Sequence, residues 1–220
     1  MNEQLVQQPY LVNIYELDEP NGGLTFTFSP KVQQHARGRN GAPQRVSQFS
    51  VTVRQLAGEL SFDWSETPDE PGDAREEIQS EIETRMNIRA TWIDRVTALV
   101  AQVEQWAKEL GWATRRIEKK LDDSWIGQHR VPALLLQEET CRIILEPLGR
   151  SSSGSDGVAD LYLMPAYDDI ARLAFSGNQW NIRYEFLNSN SATLMCEPKS
   201  VPLSKETLEK VLAEQMQHVS

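Results

Sequence analysis

Apolar residues recur along this chain with two different periods. Between Asp73 and Gly111 they fall every three or four positions, while over most of the remainder they alternate one by one. The first spacing keeps one side of a helix facing a partner, and the second keeps one face of a strand in a core.

The helical stretch has a clear start. Pro71 and Gly72 oppose any upstream continuation, and Asp73 with Glu76 three residues later forms a capping box for the free N–H groups of the first turn. From Met86 the series Met86, Arg89, Ile93, Val96, Val100, Val103, Ala107 and Leu110 steps by alternate threes and fours, with Arg89 its only polar member. A second stripe of Ile88, Trp92, Leu99 and Trp106 lies beside it. The 37 residues from Ala74 to Leu110 make a rod of about 55 Å, longer than a small domain is wide. The heptad spacing therefore predicts self-association as a homodimer, with Ile93, Val96, Val100, Val103 and Leu110 as the seam.

Alternation predicts strands at Tyr10–Leu17, Leu24–Phe28, Phe49–Val53 and Glu59–Trp64, a small antiparallel meander. Beyond Gly111, residues 112–121 fit a strand somewhat better than a helix. Further strands are expected at 133–136, 142–146, 158–163, 170–175 and 180–186, joined by connections too short for crossover helices, so this sheet is antiparallel as well. Ser204 caps a closing helix that runs to about Gln217, with Leu203 and Leu208 spaced as a hydrophobic staple. The expected fold is α+β: a meander with a basic loop over 1–67, the long helix over 68–111, and an antiparallel sheet with its terminal helix over 112–220.

Charge changes this picture. The net charge is −10, yet none of the 32 acidic residues falls between Pro20 and Gly58, where Lys31, Arg37, Arg39, Arg45 and Arg54 sit. Within that stretch Ser29 to Gln44, with Gly38, Asn40 and Gly41, reads as a long loop between two strands. Lys31, Arg37, Arg39 and Arg45, with His35, suit an anionic partner, either a nucleic acid or an acidic protein surface, because guanidinium groups pair bidentately with phosphate and carboxylate oxygens.

Candidate catalytic chemistry is sparser. Glu146, Asp160, Asp168 and Asp169, near Glu118 and Lys120, are the one group of carboxylates on neighbouring strands; Glu146, Asp160 and Asp169 are the candidates for holding Mg²⁺ in a metal-dependent nuclease or phosphodiesterase. The order of these residues departs from the usual acid-then-Glu-x-Lys arrangement of nuclease cores, and no resident cofactor is expected. Cys141 and Cys196 are far apart in apolar surroundings and read as reduced buried thiols, and His35, His129 and His218 are scattered. No Gly-x-Ser-x-Gly elbow or Gly-Lys-Ser/Thr phosphate loop is present. No apolar run approaches the roughly 18 residues of a membrane span, and Met1 to Pro9 lacks the layout of a signal peptide, so no membrane contact and a cytoplasmic location are expected. The function expected is that of a non-enzymatic binding or adaptor protein.

Overall fold

The computed structural model describes residues 10–17, 23–30, 36–37, 43–44, 48–56, 59–65, 72–150, 155–165, 168–184 and 200–217. The elements follow in chain order. β1 spans Tyr10–Glu16, β2 Leu24–Pro30, β3 Ala36–Arg37, β4 Pro43–Gln44, β5 Phe49–Leu56 and β6 Glu59–Trp64. Helix α1 then runs from Gly72 to Glu109. It is followed by β7 (Ala113–Asp123), β8 (Gly127–Glu138), β9 (Cys141–Gly149), β10 (Val158–Leu163), β11 (Asp168–Ser176), β12 (Gln179–Arg183), β13 (Val201–Pro202) and α2 (Lys205–Gln217). The fold is α+β, with antiparallel sheets, one long helix and a short closing helix, as the spacing of apolar residues predicts.

Two compact units divide the chain. One holds Met1–Ile88 and Asp122–His129, the other Arg89–Leu121 and Arg130–Ser220, so the division falls inside α1.

In the first unit the strands are ordered β1-β2-β5-β6. Alternation puts Phe26 and Phe28 of β2 and Phe49, Val51 and Val53 of β5 on one face, where they form a core with Ile14, Ile78 and Ile82. The rings of Phe28 and Phe49 stack at 4.9 Å. The other face is polar: Thr25 meets Thr52 and Thr27 meets Ser50 through hydroxyl contacts of 3.2 and 3.1 Å, the cross-strand pairing that favours small hydroxyl residues on a half-exposed surface. The β7–β8 turn belongs to this unit. Asp123 Oδ1 accepts from the backbone N–H groups of Trp125 and Ile126, and Gly127 adopts φ +73° beneath Ile14. Arg85, although buried, is fully engaged: it pairs with Glu81 at 2.7 Å, donates to the Trp125 carbonyl at 2.7 Å and lies over the Trp125 ring.

In the second unit seven strands are ordered β13-β12-β11-β10-β9-β8-β7. One face carries Leu145, Leu161, Ala171, Leu173 and Ile182, all buried, and the core gains Trp92, Val96, Leu99, Val100, Val103 and Ala107 from α1 and Leu208, Val211 and Leu212 from α2. Helix α1 stops at a glycine. Gly111 has φ +93°, its N–H reaches the Lys108 carbonyl, and Trp112 N–H returns to the Ala107 carbonyl at 2.9 Å, a Schellman closure that satisfies the last carbonyls. At α2, Ser204 Oγ accepts from the Thr207 N–H at 3.2 Å while Thr207 Oγ1 accepts from the Ser204 N–H at 2.7 Å. Ser204 is the cap expected of it, and Thr207 makes that cap reciprocal.

Candidate functional site

The polar face of the seven-stranded sheet carries a charged row. Glu146 of β9 is the register partner of Asp160 of β10, Asp160 of Arg172 of β11, and Arg172 of Arg183 of β12. Residues directly opposite across antiparallel strands share a face, so four ionisable side chains stand in one line. The sheet places them there because their neighbours Leu145, Leu161, Leu173 and Ile182 are drawn to the opposite, apolar face.

Each acid in the row is engaged. Asp160 is 0% exposed and accepts from Arg172 through both oxygens, at 2.9 Å from Nε and 3.0 Å from Nη2. Glu146 accepts from Lys119 Nζ of β7 at 2.6 Å and from the Tyr162 hydroxyl at 2.9 Å. The arrangement thus turns two carboxylates into anchors for cations and a hydroxyl. Of the sequence candidates, Glu146 and Asp160 stand opposite each other in register. Asp169 lies in β11 with only its backbone described, while Glu118 pairs with exposed Arg130 at 2.9 Å. Among the described residues no group of three or more His, Cys, Asp or Glu is placed to hold a metal ion. A divalent cation at Glu146 and Asp160 has to displace Lys119, Tyr162 and Arg172, so the donor set as it stands does not fit Mg²⁺.

The basic stretch is partly visible. β2 and β5 pair directly, Phe28 opposite Phe49, and the residues between them make an excursion in which β3 pairs with β4, Arg37 opposite Pro43. Arg37 is described by its backbone alone, and Lys31, His35, Arg39 and Arg45 lie outside the described residues.

The valines of the heptad seam are internal. Val96 and Val100 are 0% exposed, Val103 is buried, and Ile93 and Leu110 are half-buried. The periodicity was a correct guide to which side of α1 is covered, but this chain already covers the valines. Arg89, the polar break, is buried with them.

A groove of about 220 Å³ runs beside β1, lined by Asn13, Tyr15, Asp122, Asp123, Ser124 and Gln128 together with Val12, Ile14 and Gly127. Asp123 is committed to the turn. Elsewhere the Cys141 thiol is buried, and that burial pushes its pKa up, with Glu138 adding to the shift. The thiol therefore stays protonated near neutral pH and is a poor nucleophile. Cys196 lies outside the described residues. His129 is buried with Nδ1 2.9 Å from the Gly127 carbonyl.

Two features of the row were not foreseen: that Arg172 is the partner of Asp160, and that Arg183 follows it. The signal was present in the sequence as one outward-facing residue on each of three successive strands. It became readable only once register was fixed. Compared with protein-family models, with characterised proteins and with solved structures, the chain matches none.

Proposed function

We propose that this chain is a non-enzymatic, cytoplasmic binding protein that contacts an anionic partner, a nucleic acid or an acidic protein surface, through Lys31, Arg37, Arg39 and Arg45. One observation carries the reading. The acid-free stretch of an otherwise acidic chain contains two strands that pair directly with each other, Phe28 opposite Phe49, and Lys31, Arg37, Arg39 and Arg45 fall in the sequence between them. Packed strands at its base hold both ends of the excursion, and function concentrates on loops carried by such scaffolds. No helix among the described residues is long and apolar enough to cross a membrane. Anion binding by the excursion requires no second copy. Pairing of copies along α1, the other half of the expectation, has of its five seam residues only Ile93 and Leu110 left half-buried.

The test is fluorescence anisotropy with a labelled single-stranded oligonucleotide, a duplex and an acidic polypeptide. Wild-type chain is expected to bind at least one class, and the triple change Arg37→Glu, Arg39→Glu and Arg45→Glu to abolish it. Equal affinity of the triple variant, or no binding of any probe by wild type, overturns the reading.

A metal-dependent nuclease using Glu146, Asp160 and Asp169 is the reading from the other class, favoured only by the register pairing of the first two. Calorimetric titration with Mg²⁺ and Mn²⁺ decides it: saturable binding removed by Glu146→Gln supports the nuclease.

A further inference from the structure

The outer face of the first unit's sheet ends in an aromatic edge. Register sets Tyr15, Thr25, Thr52 and Asp63 in one row across β1, β2, β5 and β6, with Asn13, Thr27 and Ser50 in the next. Ile14, Phe26, Phe28, Val51 and Val53, which alternate with them, fill the core on the other side. The hydroxyls at the centre of the outer face are uncharged. Along β1, Leu11, Asn13 and Tyr15 are all exposed on it, Leu11 and Tyr15 each to 55%. A flat ring left in water beside an amide and a carpet of hydroxyls offers a stacking surface with hydrogen-bonding neighbours.

The groove of about 220 Å³ borders the same strand, and Asn13 and Tyr15 line it together with Asp122, Asp123, Ser124 and Gln128. No Lys, Arg or His is among its lining residues. Two carboxylates oppose a phosphate in the groove, whereas carboxylates and carboxamides are the groups that read the amino and ring-nitrogen edges of bases. The cations lie elsewhere on this sheet. Lys31 follows Pro30, the register partner of Tyr10, and Arg45 stands four residues before Phe49. The basic segment therefore leaves β2 and rejoins β5 at the end of the sheet where Tyr10 and Leu11 lie, while Tyr15 and the groove follow along β1.

We propose that the anionic partner is a single-stranded nucleic acid: an unpaired base stacks on Tyr15 with its edge in the groove against Asn13 and Gln128, and flanking phosphates meet the basic excursion. The inference rests on the excursion as the anion-contacting element and narrows its partner to one class. The two parts of the ligand are sorted by charge. Phosphates go to the acid-free segment, and the uncharged base, whose amino groups donate, goes to the groove that carries Asp122 and Asp123. In a duplex the bases are paired and stacked on one another and present no open face to Tyr15. An acidic polypeptide brings further carboxylates against Asp122 and Asp123 and supplies no ring for each anionic group.

The test is fluorescence anisotropy of the full chain at one ionic strength. The probes are labelled single strands of DNA and RNA about 12 nucleotides long, the matching duplex, an acidic polypeptide, and an abasic strand of the same length that keeps the phosphates and lacks the bases. A base-bearing single strand is expected to bind at least about fivefold tighter than the abasic strand, the contribution of one stacked base, and tighter than the duplex. Tyr15→Ala is expected to bring it down to the abasic affinity, and Tyr15→Phe, which keeps the ring, to hold the wild-type value. Tyr15 is exposed, so Tyr15→Ala is expected to melt as wild type does, and the abasic comparison on wild-type chain decides the matter if it does not. Equal affinity for abasic and base-bearing strands, wild-type affinity in Tyr15→Ala, a duplex bound as tightly as the single strand, or binding of the acidic polypeptide alone overturns the inference. If Tyr15→Ala changes nothing while the triple change Arg37→Glu, Arg39→Glu and Arg45→Glu abolishes binding, the base site falls and the proposed function stands. If the triple change is silent while Tyr15→Ala removes base-dependent binding, the excursion falls and the base site stands.

Discussion

Val96 has no exposed surface, so a charge placed there cannot reach water without opening the core. Val96→Glu is expected to cost about 3–5 kcal/mol, the range for an uncompensated buried charge, read as a lower midpoint in urea denaturation with an unchanged slope. A variant that stays as stable as wild type and changes only its mass by light scattering places Val96 between copies instead. The three-four spacing identifies the side of α1 that must be covered; it carries no information on whether the cover is another chain or the same one. Asp160 shows the same gap at a polar residue. Its sequence neighbours are apolar, and an acid among them reads as an outward-facing strand position or as a ligand. That its partner is Arg172, twelve residues on, depends on the β10–β11 register, and register is fixed by turns and bulges that local alternation does not encode.

Strands and helices were legible wherever one period held. Tyr10–Glu16, Glu59–Trp64 and Val158–Leu163 lie almost where alternation puts them, and the weak preference for a strand after Gly111 matches β7. β8 was read too short, at 133–136, because Gln128, His129, Arg130 and Pro132 break the apolar pattern, although the strand begins at Gly127. Its turn rests on that glycine. A β-carbon at Gly127 falls 2.5 Å from Ile14 Cβ, and φ is +73°, so Gly127→Ala combines left-handed strain with overpacking and is expected to cost at least about 2 kcal/mol in chemical denaturation. Gly111→Ala, at φ +93° with nothing within 4 Å, isolates the conformational part, about 1 kcal/mol. Equal losses in the two variants remove the steric argument. A second element-level effect lies where α1 meets β7. Glu104 accepts from Lys108 Nζ at 2.7 Å and Arg116 Nε at 2.6 Å. The hydrogen bond from Lys108, then that from Arg116, holds its carboxyl below the usual glutamate range. A carboxyl whose folded pKa is depressed contributes stability above its unfolded value, about 4.3, and loses that contribution as pH falls through the folded value. Glu104→Gln is expected to flatten the acid limb of a stability–pH curve by about 0.5–1 kcal/mol below that point, with little change in its slope above it; identical acid limbs mean that the ion pairs are energetically silent.

At the scale of the whole molecule the argument is electrostatic. A chain of net charge −10 repels a polyanion at long range, while Lys31, Arg37, Arg39 and Arg45 attract it locally. If those four residues each neutralise one phosphate of duplex DNA, counterion release gives a slope of about −3.6 in log affinity against log salt. Affinity then falls by about 150-fold between 50 and 200 mM salt. An acidic protein surface has no condensed counterion layer, so its binding weakens through Debye screening and lacks that steep linear slope. The slope therefore separates the two anionic partners that composition leaves equal. The triple charge reversal removes three attractive contacts and adds three repulsive charges, so any residual binding to duplex is expected to show a slope no steeper than about −0.9. The measurement is anisotropy repeated over a salt series with wild-type and variant chains. Parallel, steep slopes in both assign the contacts to other cations of the chain, whereas a flat wild-type slope removes nucleic acid as the partner.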